Sequence, residues 1–270
     1  MQIGVCANMN ATGSDGVGLE WLEQYRKLGF DYVELPVAQL LALSREKRRE
    51  AVARVRDSGL PCRSMNNFLP ATLRLLGDEC NLSRLAAYLE EAMALASDLQ
   101  AKVIVFGSSG ARNLPDGYDP ARAWDELLAR LTQFSDAART IGITIVIEHL
   151  NRIESNVINR FFEGAELAAR VHRDNVKPLL DVYHFCVGNE LPEVLDGIEI
   201  GHAHFARPLN RTLPGAAEFP QYAQLIGRAQ GAFDLSVEAY FDPLKGHACI
   251  QCLKQMKRRR EDRLCEDPNC

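Results

Sequence analysis

Four side chains that can bind a metal ion stand at or near the ends of four successive apolar runs. The carboxylates are Glu148 in IVIEHLN, Asp181 in LLDVYHF and Glu238 in LSVEAYF, and the imidazole is His204 in IGHAHFA. The spacings are 33, 23 and 34 residues, about the length of one strand-and-helix unit each. A carboxylate after apolar residues is costly unless it is solvated, paired or bound to a metal. Four such groups in register predict one shared metal site.

Three carboxylates and one imidazole favour a hard or borderline divalent cation. Mn²⁺ is the preferred ion, with Mg²⁺, Co²⁺ and Zn²⁺ as alternatives. Such a cation holds two adjacent oxygens of an α-hydroxy carbonyl compound and stabilises the enediolate that forms when a neighbouring proton leaves. Glu148 and Glu238 are the candidate general base and general acid. The predicted reaction is proton transfer on a ketose or related polyhydroxy keto compound through a metal-bound enediolate.

The elements that would position these groups alternate between short β-rich runs and longer amphipathic runs. This alternation predicts a parallel sheet with crossover helices, and eight strands are the number of a (β/α)8 TIM barrel of the α/β class. The strand candidates are Ile3–Ala7, Tyr32–Leu35, Cys62–Asn66, Val103–Phe106, Thr144–Glu148, Pro178–Asp181, Gly201–Phe205 and Leu235–Ala239. No linker rich in Gly, Ser or Pro divides the chain. We therefore expect a single barrel over residues 1–256, followed by a charged, cysteine-containing tail over residues 257–270.

Composition narrows the class of protein. The 270 residues are 47% hydrophobic and 25% charged, with a net charge of −5, and a basic face for nucleic acid is not expected. No apolar run approaches the ~18 residues that span a bilayer. The amino-terminal MQIGVCANMN lacks the pattern of a signal peptide. A cytoplasmic location, a small-molecule sugar or keto-polyol partner and no membrane or nucleic-acid partner are the expectations, and a homo-oligomer stays open.

The cysteines allow two interpretations. Eight is an even number, but reduced thiols fit a chain of this size without a signal peptide better than disulfides do. Cys6 and Cys62 lie in strand-like runs and are expected in the core. Four others crowd toward the carboxyl end, where a structural zinc site is an alternative. That carboxyl-terminal group comprises Cys249, Cys252, Cys265 and Cys270.

Further segments give the pattern a family likeness. With MNNFLP after the third strand, FGSSGARNLPDGY after the fourth and EHLNRIE after the fifth, the chain resembles the xylose-isomerase-like barrels of sugar phosphate isomerases and epimerases, up to about residue 256. EHLNRIE is similar to the stretch in ketose 3-epimerases whose first glutamate is metal ligand and catalytic base. The resemblance implies these roles for Glu148 and a substrate contact for Glu154. DVYH similarly implies that Asp181 binds the metal and His184 the substrate.

The segment HFARPLNRTLPG resembles the family's histidine ligand followed by an arginine and Pro-Gly. Arg211 fits that arginine by its distance to Pro214 and Gly215, and the resemblance implies that it binds substrate. Because the insert after His204 is one residue longer than in ketose 3-epimerases, Arg207 is an alternative. Asn66 either closes a turn or reaches the sugar, and we predict a substrate contact.

Other functions share these residues. Loss of water from an inosose or dehydroshikimate, elimination from an oxidised glycoside, and hydroxypyruvate isomerisation all begin with the same proton removal. A zinc endonuclease would need more histidines and a basic face, and a non-catalytic sugar-binding protein would not depend on the carboxylates. Three polar residues of the strands have expectations of their own. His202 and His149 are expected to be structural, and Glu34 is expected either to bind substrate or to pair with an arginine.

Overall fold

Eight parallel strands close into one barrel, with each strand bonded to its neighbours in the chain and β8 bonded to β1. The computed structural model describes residues 1–245 and 250–257. The strands are β1 Ile3–Cys6, β2 Tyr32–Pro36, β3 Cys62–Asn66, β4 Val103–Phe106, β5 Thr144–Glu148, β6 Val176–Asp181, β7 His202–Phe205 and β8 Leu235–Val237. This architecture confirms the predicted (β/α)8 barrel.

Helices surround the strands. They are α1 Leu22–Leu28, α2 Val37–Ala42, α3 Arg45–Asp57, α4 Leu82–Asp98, α5 Ser109–Arg112, α6 Pro120–Arg139, α7 Phe161–Val171, α8 Val182–Val187 and α9 Phe219–Arg228, and residues 250–257 are helical as well. Amphipathic periodicity accounts for them, since α6 buries Leu127, Leu131 and Phe134 on one face. Gly29 ends α1 in the left-handed conformation at φ 85°, as glycine favours at such a position.

The predicted strand bounds differ from the observed ones at the ends. β1 stops at Cys6 because residues 7–10 form a 3-10 turn, and β8 stops at Val237, two residues earlier than predicted. β6 begins at Val176, ahead of the predicted Pro178. The predicted strand starts at Pro178, and proline has no N–H to donate within a sheet. The observed β6 includes this proline two residues after its start.

The helix over residues 250–257 packs against the barrel. Ile250 and Leu253 are fully buried, and the Lys257 Nζ lies 3.0 Å from the Asp31 carboxylate. Residues 246–249 and 258–270 lie outside the described residues, and these ranges include Cys249, Cys265 and Cys270 of the zinc alternative as well as nearly all of the predicted tail. Within the described ranges the cysteines are free, namely Cys6, Cys62, Cys80, Cys186 and Cys252. None of the described helices is long and apolar enough to cross a bilayer.

Candidate metal centre and active site

The structure brings the four predicted ligands together at the carboxyl ends of β5 to β8. One ligand atom from each of Glu148, Asp181, His204 and Glu238 lies within 4.8 Å of the others. The His204 Nδ1 is 2.9 Å from the Glu148 Oε1, 3.2 Å from the Glu238 Oε2 and 3.8 Å from the Asp181 Oδ2. Parallel register explains the convergence, because Asp181 and His204 are direct partners across β6 and β7.

Asp181 divides its two oxygens between two tasks. The Oδ1 accepts a hydrogen bond of 2.8 Å from the backbone N–H of His184 and thereby caps α8. The Oδ2 faces His204. A carboxylate at a strand end therefore serves both as a helix cap and as a candidate metal ligand.

The electrostatics of this quartet fit a divalent cation. Burial, and next the charge of Glu148, raise the pKa of Asp181 well above its usual range. Burial alone would lower the pKa of His204, but the charges of Glu34 and Glu238 raise it. Several carboxylates in a space closed to water repel one another unless protons or a cation offset their charge. Oxygen donors with one imidazole are the ligands that such a cation prefers.

Beneath the quartet, Glu34 fixes the orientation of His204. The Glu34 Oε1 lies 2.8 Å from the His204 Nε2, and its Oε2 accepts hydrogen bonds of 2.6 Å from the hydroxyls of Ser64 and Ser236. The His202 Nε2 lies 2.9 Å from the same oxygen. Burial would raise the pKa of Glu34, but His204 and His202 lower it well below its usual range.

Both expectations for Glu34 are wrong, because this residue is fully buried and pairs with histidines rather than with substrate or an arginine. A carboxylate that binds the far nitrogen of a ligating histidine holds the near nitrogen toward the metal. Sequence reasoning missed this role. The signal was a charged residue within the apolar run YVELP, which a solvated position does not explain.

His184 is fully buried and directs one ring nitrogen toward Glu154. Its Nδ1 accepts from the backbone N–H of Asn151 at 3.1 Å, so the Nε2 carries the proton. That Nε2 lacks a hydrogen-bond partner among the described residues and lies 3.9 Å from the Glu154 Oε2. Burial, and then the charge of Arg211, lower the pKa of His184 to about 2. The ring is therefore neutral at pH 7, and its N–H is directed toward Glu154.

Of the two competing arginines, Arg211 is the one at the site. Its Nη2 lies 2.5 Å from the Glu238 Oε2 and its Nη1 lies 3.4 Å from the Glu154 Oε2. The guanidinium also stacks on the ring of Tyr183, 4.7 Å from the centroid. Arg207 turns away instead, and its Nη1 lies 3.3 Å from the Glu218 carboxylate. Burial alone would raise the pKa of Glu238, but Arg211 and then His204 lower it.

The structure also gives the positions of the other polar residues considered in the sequence, namely Asn66, His202 and His149. Asn66 is 2% exposed and donates a 3.0 Å hydrogen bond to the Asn8 Oδ1, while its neighbour Asn67 lines the cleft. His202 is buried in the barrel beside Glu34, and His149 is buried behind β5 with its Nε2 3.5 Å from Glu190. Burial lowers the pKa of His149 to about 3. Both histidines occupy the structural positions expected of them.

Gly107 is a residue of the site that the sequence did not reveal. It follows β4 and faces Glu148 so closely that a Cβ built on it would lie 2.0 Å from the Glu148 Oε2. Real Cβ atoms essentially never approach a heavy atom to under 3.0 Å. The position of the Glu148 carboxylate therefore depends on a glycine here, although nothing in the segment FGSSG distinguishes this glycine from one that serves a turn.

Comparisons with known proteins agree with this geometry. The model of the xylose isomerase-like TIM barrel family matches residues 22–230, and the chain belongs to that family. It is 26% identical to a D-psicose 3-epimerase of Agrobacterium fabrum over 74% of this chain and 71% of that protein. It is 25% identical to a ketose 3-epimerase of Arthrobacter globiformis over 84% of this chain and 80% of that protein.

The fold comparison points the same way. A crystal structure of D-psicose 3-epimerase in the presence of D-fructose superposes with a TM-score of 0.75, at 19% identity, and covers 98% of this chain and 97% of the other. At that identity the likeness shows the fold alone. The family resemblance expected from the sequence is confirmed.

Proposed function

We propose that the protein is a divalent-metal-dependent isomerase or epimerase that moves a proton on a ketose or a related polyhydroxy keto compound. The relatives named above support a sugar epimerase. The observation that carries the proposal is that two carboxylates from different strands, Glu148 and Glu238, converge on the His204 Nδ1, at 2.9 and 3.2 Å. Two carboxyl groups at one centre can act as the general base and the general acid of a proton transfer.

Each residue then has a task. Whichever of Glu148 and Glu238 is ionised takes the proton from the hydroxyl-bearing carbon next to the carbonyl, which leaves an enediolate. For epimerisation the other carboxyl, which enters the step protonated, gives its proton to the opposite face; for isomerisation the first carboxyl returns its proton to the adjacent carbon. Arg211 holds Glu238 in place. The neutral His184 donates its Nε2–H to a substrate oxygen, and Glu154 accepts from a hydroxyl. A cation held by Glu148, Asp181, His204 and Glu238 supplies the positive charge that stabilises the enediolate oxygens.

The finer assignments belong to the same proposal. Mn²⁺ is the ion that we assign to the site, because three carboxylates and one imidazole favour an oxygen-loving cation that tolerates nitrogen. The cytoplasm is the location that we assign, and a homo-oligomer is the assembly. The endonuclease alternative is not favoured, since among the described residues the quartet has a single histidine and His202 is bound to Glu34.

Metal analysis and isotope exchange test the function together. Purified protein is loaded with Mn²⁺ and incubated with a panel of ketoses in D₂O, and deuterium incorporation and product identity are read by NMR. We expect exchange in the parent protein and a loss of at least about 10³-fold in Glu148→Gln and in Glu238→Gln. Glu166→Gln, on the exposed face of α7, is the matched control and retains exchange. Exchange that persists in both cleft variants would refute the proposal.

A further inference from the structure

Two residues of the quartet, Glu148 and Glu238, line a longer cleft at the barrel mouth. This cleft has a volume of about 580 Å³, within the range of pockets that take drug-sized ligands. On one side stand the acidic residues and Arg211. The opposite side, which we call the amide wall, comes from the segments after β1 to β4. Its polar residues on the cleft surface are Asn8, Gln39, Asn67, Ser108 and Ser109.

Hydrogen-bond acceptors in the amide wall lack partners. The Gln39 Oε1 is buried and has no hydrogen-bond partner among the described residues. The Oδ1 of Asn66 also has no hydrogen-bond partner among the described residues. Asn66 is 2% exposed and does not itself line the cleft, but its Nδ2 is bound to Asn8 of the amide wall. Buried acceptors without donors are unfavourable, and hydroxyl groups are donors that rotate to meet them.

Besides Met9 and Leu69, the remaining residues of this side leave room for a ligand. They are small or rigid, namely Ala38, Ala42, Pro70, Ala71 and Gly110. Of the described residues that line the cleft, Tyr240 is the single aromatic one. Carboxamides with small neighbours suit a hydroxylated ring, whereas an apolar ligand would need larger hydrophobic surfaces.

Charge disfavours a phosphorylated ligand. Among the described lining residues, Arg211 is the one basic side chain, and it is engaged by Glu238 at 2.5 Å and by Glu154 at 3.4 Å. The described residues of the amide wall include no cationic side chain to offset the charge of a phosphate. A neutral ligand therefore suits the amide wall better.

We propose that the substrate is a keto sugar that carries a neutral, glycosidically linked second sugar ring, and that the amide wall binds this ring. The inference rests on the proposed function, because the keto end must lie at the quartet. Gln39 and Asn66 accept hydrogen bonds from hydroxyls of the second ring, and Asn8 holds Asn66 in place. The reaction itself is unchanged: a proton leaves a carbon next to the carbonyl and returns, and no bond to the second ring breaks.

The test compares ketoses that differ in the second ring. Proton exchange in D₂O is measured for D-fructose, for 4-O- and 6-O-glucosyl fructose, and for fructose 6-phosphate, with the Mn²⁺-loaded protein. We expect kcat/KM for at least one glucosyl fructose to exceed that for free fructose by about tenfold or more, as one or two buried hydrogen bonds supply. Fructose 6-phosphate is expected to react more slowly than free fructose.

Variants locate the effect. In Gln39→Leu and in Asn66→Leu, the ratio of kcat/KM for the preferred glucosyl fructose to that for fructose is expected to fall about tenfold. Gln224→Leu, on the exposed face of α9, is the matched control and leaves the ratio within about twofold. Calorimetric binding of the glucosyl fructoses to the Glu148→Gln protein provides a second readout in case a wall variant does not fold.

The outcomes separate the two proposals. Exchange with free fructose, without any gain from the second ring or with a gain from phosphate, overturns the amide wall and leaves the proposed function intact. Variants that lower exchange with all ketoses equally also overturn it. The absence of exchange with every ketose overturns both.

Discussion

Replacing Gly107 with alanine tests whether the Glu148 carboxylate must stay where the structure places it. The added Cβ would lie 2.0 Å from the Glu148 Oε2, and 3.0 Å is the closest approach that real Cβ atoms show. The carboxylate must therefore withdraw by at least about 1 Å, and a misplacement of that size costs roughly 10²-fold in rate. The obstructing atom is the free end of a side chain, so the barrel itself is expected to fold.

The assay has three readouts: deuterium exchange into a reactive ketose, Mn²⁺ affinity by calorimetry, and the melting temperature. Gly107→Ala is expected to lower kcat/KM by about 10²-fold or more and to weaken Mn²⁺ binding, with little change in melting temperature. Gly215→Ala is the matched control, because its Cβ would meet the nearest atom at an ordinary 3.6 Å. An alanine variant with parental exchange and parental Mn²⁺ affinity would show that the reasoning about Glu148 is wrong.

Three more predictions concern Glu34, the cation and Glu190. Glu34→Gln should weaken Mn²⁺ binding about 10–100-fold, because the partner that orients His204 changes; calorimetry on the folded variant decides, and parental affinity would contradict the idea. Mn²⁺ at about 100 times its Kd should raise the free energy of unfolding by ~2.7 kcal/mol, and should fail to do so in Glu148→Gln. Burial raises the pKa of Glu190 from its ordinary value of 4.5 to about 7, so between these pH values the folded state binds the extra proton and stability falls as pH rises. Glu190→Gln removes this loss. The unfolding free energy of the variant minus that of the parent should therefore grow by up to ~3 kcal/mol across the window and stay level above it, as denaturant titrations at several pH values would show; a difference that is flat with pH would refute the assignment.

Sequence reasoning succeeded where periodicity and register decide the outcome. Alternating strands and helices place the ends of β5 to β8 at one rim, so Glu148, Asp181, His204 and Glu238 could be predicted to meet without coordinates. The choice between Arg207 and Arg211 could not be made, because it depends on the backbone of the loop after β7. Arg211 lies there in the left-handed conformation at φ 47°, and no residue spacing reveals such a turn.

Contacts across the barrel were beyond the sequence for another reason. Glu34 and His204 are 170 positions apart. Alternation along one strand predicts which side chains point into the barrel, but it does not predict which residues of other strands they contact there. Gly107 was missed because an absent side chain carries no chemistry of its own. Its importance appears only once the position of the Glu148 carboxylate next to it is known.

The two oxygens of Asp181 have a consequence for ligand binding as a whole. One oxygen caps the first turn of α8, and that turn carries His184. The other oxygen faces the candidate metal centre. If His184 donates to the sugar as proposed, a cation that draws this carboxylate into place also sets that donor, and the affinities for the cation and for the sugar are linked. By thermodynamic reciprocity, a sugar that binds more tightly in the presence of the cation must tighten the hold on the cation by the same factor.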